Sequence, residues 1–243
     1  MSDYQQREAT QYGTQTRTRE IDAGLRAYMM RVYNYMMGGV ALTGLVAYGV
    51  FSMATTNPQF AQLMYNSPLK WLVMFAPLIM VFAISAMVNR MSYGALQVCF
   101  WGFAALMGAS LSWIFLAYGG VSITRVFFIS AAAFGALSVY GYTTKKDLSG
   151  WGTFLFMGLI GLIIASLVNI FLQSSALQFA VSCIGVLVFA GLTAYDTQRI
   201  KSMYHVSHGA ATLGKMAIMG ALSLYLDFIN LFMSLLSLFG SSE

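Results

Sequence analysis

Two aspartates stand inside stretches of chain that are otherwise uncharged. Asp196 lies near the end of one, in Ala194-Tyr195-Asp196-Thr197-Gln198-Arg199, and Asp227 in the middle of another, in Leu224-Tyr225-Leu226-Asp227-Phe228-Ile229-Asn230. At bilayer depth an ionised carboxylate costs at least ~2.5 kcal/mol, so each acid calls for a partner or a wet cavity. Two carboxyls close together in low dielectric cannot easily both ionise, and they share one proton. Loss of that proton leaves a doubly negative cluster of oxygens, which hard cations such as Ca²⁺ favour. Asp196 and Asp227 are therefore the candidate Ca²⁺ ligands and the candidate pH-sensitive gate. The plainer reading is an acid pair that only locks two helices together.

The residues around Asp227 add a pattern. Ser223, Asp227, Asn230, Ser234 and Ser237 follow one another at helical spacings of four, three, four and three. At roughly 100° per residue they fall within about 80° of arc, one polar stripe on an apolar helix. Such a stripe should point into a helix bundle and line a polar path, placing this helix at or near the centre. Arg90, at the end of another apolar stretch, is the candidate counter-charge or latch; it reads equally well as an arginine reaching for the interface. His205 and His208 sit one helical turn apart near a loop, with no third ligand beside them.

Enzyme chemistry finds no foothold in these residues. No serine and histidine pair lies inside the apolar stretches, and neither an HExxH motif nor a glycine-rich phosphate loop is present. Cys99 and Cys183 lie in apolar stretches and read as buried thiols with no disulfide or metal framework. The expectation is a protein that is not an enzyme and has no cofactor, with Ca²⁺ as a permeant or bound ion.

The elements that must position these residues follow from composition. Of 243 residues, 58% are hydrophobic and 9% charged, against roughly 25% charged in an ordinary soluble domain. A bilayer partner resolves the excess. Seven uncharged or nearly uncharged runs are long enough for the ~20 residues that cross it as a helix. They are Val32 to Met53, Trp71 to Asn89, Ala95 to Tyr118, Val126 to Thr144, Trp151 to Phe171, Leu177 to Tyr195 and Ala217 to Phe239. The fold class is thus an all-α integral membrane protein of seven transmembrane helices.

Charge sets the expected orientation. With the N-terminus cytoplasmic, 11 of the 13 basic residues fall inside and only Lys70 and Arg125 outside, as the positive-inside rule requires. Seven spans then put the C-terminus outside. The net charge of +5 reports topology and contact with anionic lipid, not nucleic acid. Residues 1–25 read as a disordered cytoplasmic tail without a cleavable signal, and 26–243 as one transmembrane domain. Small residues four apart (Ala104 with Gly108, Ala131 with Gly135, Gly161 with Ala165) suggest closely approaching helices.

The two aspartate motifs together resemble the Bax-inhibitor (TMBIM) family of membrane proteins. Arg31-Val32-Tyr33 and Thr143-Thr144-Lys145-Lys146-Asp147-Leu148 support the likeness, which covers everything after the N-terminal tail. The resemblance implies a last helix surrounded by the other six. It also implies an aspartate pair, here Asp196 and Asp227, gating a pH-sensitive Ca²⁺ leak, with Arg90 able to pair with one of them. The short C-terminus, Gly240-Ser241-Ser242-Glu243, lacks the charged tail to which the family assigns a role. The family's bacterial members imply a bacterial inner-membrane location. Some are associated with a membrane-bound quality-control protease, so the competing expectation is a non-conducting regulator that binds such a partner.

Overall fold

The computed structural model describes the backbone of residues 2–241 and the side chains of residues 22–241. The side chains of the expected tail, 1–25, are described only for residues 22–25, and its backbone from Ser2 is helical and continuous with the first span. The chain is all helix: α1 (Ser2–Thr56), α2 (Pro58–Ala61), α3 (Leu69–Met87), α4 (Tyr93–Leu111), α5 (Ile114–Ala117), α6 (Gly120–Thr143), α7 (Ser149–Leu172), α8 (Ser175–Ser202) and α9 (Ala210–Phe239), with a π-helical turn at Gln62–Asn66. Among the described residues seven helices are long and apolar enough to span a bilayer, the third formed by α4 and α5 together over Tyr93–Ala117. Each overlaps one of the seven runs read from the sequence.

Local chemistry sets the ends. Asn57 caps α2 ahead of Pro58, Ser92 caps α4 and Ser174 caps α8, each through its side-chain oxygen on backbone amides of the first turn. Gln173 closes α7 in the left-handed conformation, φ 48°. Asp147 accepts from both the amide and the hydroxyl of Ser149. These two bonds hold its carboxyl below the usual carboxylate range.

The last helix carries the core. Ala217, Ile218, Ala221, Leu224, Tyr225, Leu231 and Leu236 are all within 1% of full burial. Its packing partners are α1, α4, α6 and α8, while α3 and α7 stand outside, against α4 and α8 respectively. The substantial contacts of α9 are thus with four of the six other spans. The apolar side chains of α3 and α7 face outward along much of their length, as the bilayer-facing wall of such a bundle must.

Glycine sets two of the closest approaches. A Cβ on Gly108 would sit 2.5 Å from the Thr43 carbonyl oxygen of α1, and one on Gly141 would meet the Ala194 carbonyl of α8 at 2.3 Å. Gly108 belongs to one of the small-residue pairs read from the sequence. The other two expected contacts fail at their glycines, since a Cβ on Gly135 or Gly161 would meet nothing within 4 Å. Spacing alone does not say whether a small residue faces protein or lipid.

Candidate functional site

The site is the seam between α8 and α9. Its antiparallel register is fixed by three contacts: Ser182 Oγ donates to Ser237 Oγ at 2.8 Å, Gly185 leaves room only for Ser234 Oγ, and Ile200 fills the space over Gly220. Following that register puts Asp196 level with Ser223. Asp227 lies about one turn away, ~6 Å along the axis at 1.5 Å per residue.

The acids do not arrive there by equal depth. Read from the sequence, with the sixth apolar run continued as helix to about Val206 and the seventh starting near Met219, the acids would stand ten and eight residues from their helix ends. In fact α8 stops at Ser202 and α9 begins at Ala210. The two come within about a turn of each other because α9 projects about two turns past the end of α8, with 203–209 forming the link.

The seam changes character along its length. Away from the acids, every stripe residue is partnered. Ser237 accepts from Ser182 and also from Gln178 Nε2 at 3.3 Å; Ser234 donates to the Asn230 carbonyl and Asn230 to the Leu226 carbonyl, both at 2.8 Å. Asp227 is different. It is 6% exposed, and its Oδ2 is buried with no hydrogen-bond partner. The Asp196 carboxylate is within electrostatic reach of it and is the charged group acting on it among the described residues. Asp196 in turn feels Arg199, whose Nη1 lies 3.9 Å from Asp196 Oδ1, the only ion pair among the described residues. That pair is three residues apart on one helix, with Arg199 largely exposed, so it is worth only tenths of a kcal/mol by the general scale of such pairs, about 0.2–0.5.

A hydroxyl relay approaches the same region. Tyr33 Oη donates to Ser138 Oγ at 2.8 Å, Ser138 to Thr197 Oγ1 at 2.9 Å, and Thr197 to the Thr193 carbonyl at 2.7 Å. It joins α1, α6 and α8 at the residue following Asp196. Sequence reading did not find it, because its members come from three separate spans.

Arg90 does not take the place expected of it. It is exposed in the turn after α3 and makes no ion pair among the described residues; α3 packs on α4, away from α8. The base at Asp196 is Arg199. His205 and His208 stack edge to face, with ring centroids 5.5 Å apart. Among the described residues no group of three His, Cys, Asp or Glu side chains stands together as a metal site.

With this geometry established, comparison with known proteins is decisive. The family model described as "Inhibitor of apoptosis-promoting Bax1" matches residues 25–243. The chain belongs to the Bax inhibitor family. Among its relatives, the protein named inner membrane protein YbhL of Escherichia coli K12 is 47% identical over 222 residues, covering 90% of this chain and 93% of the relative. The uncharacterized protein RP147 of Rickettsia prowazekii is 47% identical over 228 residues, 94% and 95% of the two chains. An uncharacterized membrane protein of Streptococcus pyogenes, SpyM3_0260, is 38% identical over 223 residues, 91% and 96% of the two. This Bax inhibitor family chain is therefore an integral membrane protein, matched by the family along essentially the whole seven-helix bundle.

Proposed function

We propose that this protein is a passive, pH-sensitive cation leak, with Ca²⁺ as the preferred ion and the Asp196–Asp227 pair as its gate. The observation that carries the reading is Asp227 Oδ2, a carboxylate oxygen buried mid-helix without a partner while a second carboxylate stands one turn away. A helix lock would not need this arrangement: the serines farther along the seam lock the same two helices at far lower cost.

The chemistry runs in both directions. With a proton on the pair, the negative charge that would attract a cation is reduced and the helices stay closed. With the proton gone, two carboxylates face each other in low dielectric, and relief comes from admitting water or a cation between them. Two carboxylates fall short of the six to eight oxygens of a resident Ca²⁺ site, which suits an ion in transit. In this reading the chain performs no catalysis and needs no cofactor. The bases clustered at the Arg26, Lys145 and Lys201 end mark the cytoplasmic side, with the C-terminus outside, in a bacterial inner membrane.

The test is Ca²⁺ entry into liposomes holding the purified chain, followed from mildly acidic to mildly alkaline pH. Wild type passes more Ca²⁺ as pH rises. Asp227→Asn and Asp196→Asn each flatten that dependence. Flux that ignores both pH and the substitutions would discard the gate.

A further inference from the structure

A groove on the side of the bundle has no part in the reading above. Helices α1 and α6 both lean on α9 and touch each other at the Tyr33–Ser138 hydrogen bond, where one groove wall meets the other, with no other substantial contact between them. The gap between them is about 720 Å³, walled by Met29, Met36 and Val40 on one side and Phe127 and Phe134 on the other, with Phe228 as its floor. It opens sideways, since the lip residues Met30, Met37 and Val139 are more than half exposed. In a protein whose flanks face hydrocarbon, such an opening is filled by something apolar.

Length and charge say what fills it. The lining runs from Arg26 to Ala41 on α1 and from Phe127 to Tyr142 on α6, about 22 Å of helix in each case at 1.5 Å per residue. One leaflet, half of a ~30 Å core plus its headgroup layer, measures about 21 Å. A partner's transmembrane helix would need the whole core, so the groove is too short for one. Its mouth is basic. Arg26 lines it with no carboxylate among the described side chains within 4 Å, and Lys201 stands 4.8 Å above the Tyr142 ring while donating to the Tyr142 carbonyl at 2.8 Å.

We infer that this groove binds one anionic phospholipid from the leaflet at the basic end, its phosphate on Arg26 and an acyl chain laid over Phe228. Arginine offers a fork of donors that matches phosphate oxygens. The apolar walls take the chain without demanding any particular length or unsaturation. Specificity therefore rests on headgroup charge.

Native mass spectrometry of the full chain in detergent, with phosphatidylglycerol and phosphatidylcholine added in equal amounts, tests this. Wild type should retain one phosphatidylglycerol in preference to phosphatidylcholine. Arg26→Ala should weaken that retention about five-fold, the scale of one basic residue at an anionic surface, and leave phosphatidylcholine unchanged. Gly135→Phe, whose new ring would enter the open space beside the groove wall, should lose the retained lipid. Gly161→Phe, equally open but on α7, should behave as wild type. Equal retention of the two lipids by wild type would overturn the inference. So would undiminished binding by Gly135→Phe, or a second copy of the chain in place of a lipid. If Gly135→Phe does not fold, Arg26→Ala, a change at an exposed side chain, decides alone.

Discussion

The two halves of the α8–α9 seam are built from the same kind of polar stripe and do opposite things. In the half around Ser182, Gly185, Ser234 and Ser237, small side chains let the helices close up and each hydroxyl has a partner. In the half around Asp196 and Asp227, a carboxylate oxygen is left alone next to another negative group. Satisfied polar groups rigidify a membrane interface, whereas a buried charge without a partner is costly and ready to exchange its state. One continuous helix face thus combines a fastened half with a half that holds an unpartnered carboxyl.

The comparison can be broken experimentally. The largest effect should come from Gly185→Leu, which wedges the fastened half apart and lowers stability by about 2–3 kcal/mol, read as the thermal midpoint in detergent. If that midpoint holds, the half is not fastened. Asp227→Leu should instead stabilise the fold by about 1 kcal/mol, because an apolar side chain replaces an unpartnered carboxyl; a large loss would mean that Asp227 also fastens. Ser182→Ala and Ser237→Ala, taken as a double-mutant cycle, should show coupling of about 0.6 kcal/mol, the usual worth of such a bond in a membrane. Neither should alter the pH dependence of flux.

Asp147→Asn should be felt least, since the group is fully exposed. Its carboxyl is held below the ordinary range, so the stability it contributes is present above that range and fades as pH falls through its folded-state value. The difference between wild type and variant in a thermal melt should accordingly vanish on strong acidification. A difference that grew with acid would reverse the sign of that argument.

Much of this was legible in the sequence. Uncharged runs gave all seven spans because the bilayer imposes length and apolarity on each independently of the rest. The 4-3-4-3 spacing on α9 marked the stripe, and the stripe faces α8. Its partners Gln178, Ser182 and Gly185 carry matching spacings of four and three, so the complementary face of α8 is also written in the sequence. Arg90 could not be judged, because whether α3 reaches α8 depends on packing order, which hydropathy does not encode. The lateral groove was hidden for the same reason: apolar residues facing a gap and apolar residues facing lipid look alike in a string of letters.

One buried hydroxyl bears on how the molecule could move. Tyr225 Oη donates to Thr43 Oγ1 at 2.6 Å, and Thr43 donates to the Ala104 carbonyl at 2.9 Å, tying α9, α1 and α4 at a single point. Those three helices form a block that resists internal sliding. α8 is clasped to that block on both sides of the acids, by Ser182 on Ser237 and by Ile200 over Gly220, so the aspartates occupy the slack middle of a span held at two points, as a bowstring is held at its tips.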